Sequence, residues 1–178
     1  MPPVSYNHLP GLEGRENKPG LMKNVYIAPL RELTLAEPVD SGNMDGSSVE
    51  ITSDHTFADP ATQGWVKMYT TLDSAQLIAE TIGERDGRGT RQELTAFRPG
   101  MSAWDIEFAN VALYDEFVVL VETLEGDFLQ MGTQRMGVEC TGASADTGTV
   151  SSGRKGYTFT FEVFDKPFIY SGAIAEKA

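Results

Sequence analysis

From Leu21 onward, short runs of β-branched and aromatic residues are separated by clusters of Gly, Ser, Asp and Pro. This rhythm predicts many short strands. The runs fall at about 24–28, 48–57, 65–72, 75–82, 91–98, 117–123, 127–133, 136–141, 157–164 and 167–171. No fixed repeat links them, which argues against a solenoid or propeller. In the pair 75–82 and 91–98, Leu77, Ala79, Leu94 and Ala96 are placed to face a core while Gln76, Glu80, Arg91, Glu93 and Thr95 face water. The stretch between them, Glu84-Arg85-Asp86-Gly87-Arg88-Gly89-Thr90, is charged and glycine-rich, so it reads as the exposed tip of a long hairpin spanning about 75–98.

One helix interrupts the strands. Pro99-Gly100 ends the strand before it, Ser102 can accept from the free N–H groups of a first turn, and Asp105 completes a capping-box-like pair. Trp104, Phe108, Val111 and Ala112 recur on one stripe with Ile106, Ala109 and Leu113 beside it, predicting a helix over about 102–114 with a wide buried face. Phe117-Val118-Val119-Leu120-Val121 then switches to a continuous apolar run. Leu124-Glu125-Gly126-Asp127 turns it back into a hairpin.

Two segments lack this patterning. Residues 1–20 hold Pro2, Pro3, Pro10 and Pro19 with Gly11, Gly14 and Gly20, and read as an extended arm. Residues 141–156 are almost wholly Thr, Gly, Ser, Ala and Asp, and read as a flexible loop. The expected organisation is an arm at 1–20 and a single mainly β domain at 21–178. Its fold class is an antiparallel β-sandwich or partly closed barrel with one flanking helix.

Charge and composition narrow the function. The 178 residues carry 14 Lys+Arg against 26 Asp+Glu, a net −12 that disfavours a mainly electrostatic grip on phosphate backbones or anionic lipid. Cys140 is the single cysteine, so no intramolecular disulfide, cysteine zinc site or redox pair is expected, and a reduced compartment is favoured. Residues 1–10 show neither a basic region nor an apolar stretch. The run at 117–121 is far short of the roughly 20 residues needed to span a bilayer, so neither an export signal nor a membrane anchor is expected.

The chemistry-bearing residues point to no reaction. Of the two histidines, His8 lies in the arm, and His55 beside Asp54 reads as a strand-surface residue. Cys140 sits in a strand pattern, where free cysteine behaves as a small buried hydrophobe. Ser41-Gly42-Asn43-Met44-Asp45-Gly46 resembles the first half of a calcium loop, but the closing position holds Thr52 instead of Glu, leaving a solvated turn. Gly87-Arg88-Gly89 begins a dinucleotide fingerprint whose third glycine is replaced by Gln92. Asp115, Glu116, Glu122, Glu125 and Asp127 read as solubilising charge. The aromatics Tyr157, Phe159 and Phe161 share one strand face and read as core, with Phe164, Phe168 and Tyr170 following. No catalytic, cofactor or metal residue is assigned, and the expectation is a non-enzyme.

The order of these pieces carries a resemblance. Gly20-Leu-Met-Lys-Asn-Val-Tyr-Ile-Ala-Pro29 leads into a hairpin with a charged tip and a short helix. Phe117 to Glu122 follows with its Leu-Glu-Gly-Asp turn and Met131-Gly132, then Thr141-Gly142 and the Gly-Tyr-Thr-Phe-Thr-Phe strand at 156–161. Over residues 20–172 this resembles virion structural proteins of tailed bacteriophages, most of all the tail tube protein superfamily. The resemblance implies a virion subunit, made in the host bacterial cytoplasm, that forms stacked rings, hexameric in that family. Its partners would be itself, other tail proteins and, as passive cargo in an acidic lumen, phage DNA, with no membrane and no cofactor. It also implies that a hairpin joins neighbouring subunits in an inner barrel, with Gln76, Glu80, Glu84, Arg85, Asp86, Arg88, Arg91, Glu93 and Thr95 as inter-subunit or lumen candidates. Residues 1–20 and 141–156 would bridge successive rings. Tail terminators, neck proteins, capsid decoration proteins and carbohydrate-binding β-sandwich modules share the acidic, β-rich profile and stay open as alternatives.

Overall fold

A computed structural model describes residues 6–12 and 14–178. The strands are β1 (Leu21–Pro29), β2 (Leu33–Thr34), β3 (Glu50–Ile51), β4 (Thr56–Phe57), β5 (Val66–Tyr69), β6 (Gln76–Ile82) and β7 (Gly89–Pro99). Helix α1 (Ala103–Val111) and a 3-10 turn (Ala112–Tyr114) follow. Then come β8 (Glu116–Thr123), β9 (Phe128–Met131), β10 (Val138–Asp146), β11 (Gly156–Val163) and β12 (Phe168–Tyr170). The chain is mainly β with one helix, as the sequence predicts, and its sheet does not close into a barrel.

The run Phe117 to Val121 organises the molecule because β8 and its partner β1 are covered on both sides. Their odd-numbered residues, Val25, Ile27, Phe117, Val119 and Val121, pack against Leu94, Cys140, Phe159 and Phe161. Their even-numbered residues, Tyr26, Ala28, Val118 and Leu120, pack against Leu33, Phe57, Trp65, Phe168 and Tyr170. A strand buried on both faces has no reason to alternate, so its sequence reads as an unbroken apolar run. β9 and β10 share the other edge of β8, at Val119–Glu122 and at Glu116–Phe117. From β10 an antiparallel sheet continues outward through β11 and β7 to β6, and from β9 the chain adds β12 and β3.

Several expectations are corrected. The predicted strand at 48–57 is two short strands, β3 and β4, that pair with different partners, β12 and β2. Between them His55 is buried and belongs to no strand surface. Its Nδ1 accepts from the Ala36 N–H at 3.0 Å, its Nε2 meets Gln130 Oε1 at 2.6 Å, and its ring stacks on Tyr170. The loop expected at 141–156 is shorter, because residues 141–146 lie in β10, where Gly142–Asp146 pair with β11; a bulge at Thr141 lets the strand continue past Cys140. Residues 6–12 and 14–20 form no strand or helix, while 1–5 and 13 of the expected arm lie outside the described residues.

The helix starts as predicted but buries only the Phe108, Ala109 and Ala112 part of the expected face. Ser102 and Asp105 form a reciprocal capping box, and Arg98 also binds the Asp105 carboxylate. These contacts hold the Asp105, Ala109 and Ala112 side of the helix against the body. Trp104, Ile106, Val111 and Leu113 are exposed, Trp104 at 82%. The polar clamp and the packing of Phe108 and Ala112 together leave Trp104 outside.

Candidate functional site

The exposed face of the β10–β11–β7–β6 sheet gathers most of the predicted residues. Register pairs Gln76 with Thr95, Ile78 with Glu93 and Glu80 with Arg91, so Gln76, Glu80, Arg91, Glu93 and Thr95 share one face. Leu77 and Leu94 pair on the opposite face, where Leu94 enters the core. Ala79 departs from the expectation: it is exposed, since the far half of β6 extends beyond the core. Glu84, Arg85, Asp86 and Arg88 lie off this face, in the turn between the strands. That turn is tight: Gly83 has φ +95°, and a Cβ there would meet the Gly87 carbonyl oxygen at 2.4 Å.

The same face carries acids that the hairpin pattern alone misses. Glu93 lies opposite Glu162, Glu162 opposite Glu139, and Glu139 opposite Glu116, so four glutamates cross β7, β11, β10 and β8 in one row. Arg91 is the cation among them, with Nη1 3.1 Å from Glu80 and Nη2 2.7 and 2.9 Å from Glu93 and Glu162. The hydrogen bond Arg91 donates to Glu162 and the surrounding carboxylates hold the Arg91 pKa above its ordinary value. Glu162 was legible in principle, because Thr158, Thr160 and Glu162 alternate with the core aromatics. The continuation through Asp146 was hidden by the bulge, which shifts the alternation by one residue.

Both ends of this sheet are open among the described residues. β6 pairs with β7 alone, and beyond Glu139 the strand β10 pairs with β11 alone. Unpaired edges present free N–H and C=O groups to any strand that approaches.

Elsewhere the candidate groups are committed to internal contacts. Asp45 accepts from Ser41 Oγ and from Ser47 N and Oγ, and these bonds lower its pKa to about 2. The would-be calcium loop therefore spends this carboxylate on closing its own turn. Cys140 is buried in β10, and burial pushes its thiol pKa up. Tyr157, Phe159 and Phe161 are core residues, as are Phe168 and Tyr170, whereas Phe164 is exposed. A cleft of about 370 Å³ opens over Gln130 between Glu37, Asp40, Arg135 and Lys166. Gln130 faces the core network there, bound to His55 and to the Gly132 carbonyl.

Comparison with protein-family models, curated proteins and solved structures found no match to this chain.

Proposed function

We propose that this chain is a self-assembling structural subunit of a tailed-phage particle, most specifically of the tail tube. The observation that carries the reading is the antiparallel β10–β11–β7–β6 part of the sheet, whose acidic face lies between two unpaired edges, β6 and the Cys140–Asp146 part of β10. Strand directions alternate across β10, β11, β7 and β6, so the two end strands run antiparallel to one another. A rotated copy placing its β10 beside β6 would continue the same antiparallel sheet. A contact between two different edges is head to tail, and such contacts close into a ring when the rotation between copies closes and grow into open filaments when it does not.

The stagger of the two edges favours closure. The free part of β10 centres on Ser144, level with Thr158 and Phe97, whereas β6 centres on Ala79, level with Gln92. The step from Gln92 to Phe97 is about 17 Å of strand at about 3.4 Å per residue. Matching β6 to β10 across four spacings of about 4.8 Å then requires strands tilted about 40° to the ring axis, within the range of closed β-barrels. Each copy adds about 26 Å of circumference, and six copies make a barrel about 49 Å across at the backbone, with room for a duplex on the order of 20 Å wide. Three copies give about 24 Å, too narrow once side chains fill the wall.

In such a ring the face turned away from each subunit's own core lines the lumen. Glu80, Glu93, Glu162, Glu139 and Asp146 against Arg91 make that wall negative, so DNA phosphates are repelled and the genome slides without sticking.

Negative-stain electron microscopy and mass photometry over a concentration series test the reading. Rings or tubes with a central hole wide enough for duplex DNA are expected. A uniform monomer or trimer at every concentration overturns it in favour of a decoration, neck or carbohydrate-binding module.

A further inference from the structure

The connection between β2 and β3 lines the cleft over Gln130 through Leu35, Ala36, Glu37, Pro38 and Asp40, and it is held to the body at few points. The β2–β4 ladder ends at Thr34 and Thr56. Past it, Ala36 N–H donates to His55 Nδ1 at 3.0 Å, and at the far end Lys166 Nζ donates to the Ser48 carbonyl at 3.2 Å. Between those points, residues 37–47 make one hydrogen bond to another part of the chain among the described residues, from Asn7 to the Met44 carbonyl. Most of these residues are exposed.

The bond at Ala36 exists only while His55 is neutral. A backbone N–H can only donate, so Nδ1 is the bare nitrogen of the ring. The other side of the ring requires the same tautomer. Gln130 Nε2 donates to the Gly132 carbonyl, which leaves Gln130 Oε1, an acceptor, facing His55 Nε2 at 2.6 Å. Nε2 therefore carries the proton, and a second proton taken from solvent has only Nδ1 to bind, where it would oppose the Ala36 N–H. We propose that His55 is an acid-sensitive latch: protonation at Nδ1 releases the Ala36–Ser48 connection and opens the cleft that it lines, while both cores stay packed.

The groups around the ring set the direction. Asp54 on the same segment and the Tyr170 ring, stacked at 4.4 Å, favour the imidazolium. Asp54 already accepts from the Ala173 N–H, and burial raises the Tyr170 pKa, so that the phenol stays neutral. Trp65, Leu35, Ala36 and Gln130 bring no charge to the ring. Burial outweighs the favourable groups and holds the imidazole pKa below its ordinary value in the closed form. Beyond Ala36 and Gln130 the cleft carries Glu37, Asp40 and Asp165 against Arg135 and Lys166, so a ring released into it meets a mixed polar surface. Asp45, with a pKa of about 2, keeps its bonds to Ser41 and Ser47 in mild acid, and the turn inside the connection survives the release. If the ring has its ordinary pKa of about 6.5 only in the open form, the open population rises by up to about 25-fold from pH 7 to pH 5. The latch does not depend on the ring reading.

Amide hydrogen exchange of the full chain, followed by NMR at pH 7 and pH 5 and corrected for the intrinsic pH dependence of exchange, tests the proposal. His8→Gln makes His55 the sole histidine, so its ring signals report its protonation directly. The protection of the Ala36 amide is expected to fall by up to about 25-fold as the ring titrates, while Val119 and Leu120 in β8 keep theirs. In His55→Gln the Ala36 protection is expected to stay constant with pH. The same pH dependence in that variant overturns the proposal, as does an Ala36 amide equally protected at both pH values. A loss shared equally by Val119 and Leu120 is global unfolding and also overturns it. So does a ring that titrates while Ala36 stays protected, a result read on the unmodified His55 whether or not the variant folds.

Discussion

Glu93 and Glu162 stand directly opposite each other on β7 and β11, and one guanidinium nitrogen of Arg91 holds both carboxylates, at 2.7 and 2.9 Å. Like charges in that position repel across the sheet, and the arginine is what holds the Glu93–Glu162 pair together on this face. In the proposed tube reading such a row would face the lumen, where carboxylates would repel phosphate.

Removing that arginine exposes the repulsion. Arg91→Gln leaves Glu80, Glu93 and Glu162 without their cation, and the thermal midpoint is expected to fall by a few degrees at low salt. Because these groups are partly exposed, the deficit should shrink between about 50 mM and about 0.5 M NaCl as screening lengths contract. Differential scanning calorimetry at the two ionic strengths checks this. A loss that does not depend on salt would mean that Arg91 acts through packing.

His55 makes stability depend on pH. Burial holds the imidazole pKa below its ordinary value, against the opposing pull of Gln130 and Asp54. As pH falls through about 6.5 the unfolded chain binds a proton at this ring and the folded chain does not. The contribution of the neutral ring is therefore complete above about pH 6.5 and declines below it, by up to about 1.4 kcal/mol per pH unit. His55→Gln is expected to cost about 2–4 kcal/mol at pH 7, since Ala36 N–H and Gln130 lose a matched partner. It should also flatten the fall in the urea midpoint between pH 7 and 5. An unchanged pH slope would show that other groups carry it.

Gly156 sets how closely β7 and β11 approach. A Cβ there would lie 2.2 Å from the Arg98 carbonyl oxygen and 2.8 Å from the Phe97 ring. Gly156→Ala must push the two strands apart at the end where β10 and β11 emerge from their connecting loop, for a loss of about 2–3 kcal/mol. Urea unfolding measures it. The neighbouring Gly153→Ala has more room and should cost less, since its nearest contact is 3.1 Å.

Which parts of this architecture were legible follows from what each residue senses. The β6–β7 hairpin was readable because its alternation is local and one of its faces meets a core. The Ser102–Asp105 cap was readable because it is a contact over three residues. The orientation of α1 was not, since Arg98 and the core that packs Phe108 and Ala112 lie on other elements and leave Trp104 outside. His55 was misread for a related reason: its partners Ala36, Gln130 and Tyr170 come from three distant places in the chain. The open edge of β10 was hidden twice, by a composition that reads as loop and by the bulge at Thr141. Small polar residues can form a strand when a neighbour such as β11 supplies the pairing.

The edge pairing behind the ring has a covalent test. Glu80 and Ser144 share the exposed face but belong to opposite ends of the four-stranded sheet. Within one chain three strand spacings of about 4.8 Å separate them, beyond the roughly 7 Å that a disulfide can span. Across a β6–β10 junction between copies they come within reach. The double variant Glu80→Cys with Ser144→Cys, or Ile78→Cys with Ser144→Cys if the register shifts by one same-face position, is therefore expected to cross-link between copies under mild oxidation. Non-reducing electrophoresis should show a ladder that ends at the number of subunits in the closed ring. The buried Cys140 is not expected to contribute, and either single variant should give dimers at most. Rings visible by microscopy without a ladder from either pair would mean that the copies meet through other surfaces.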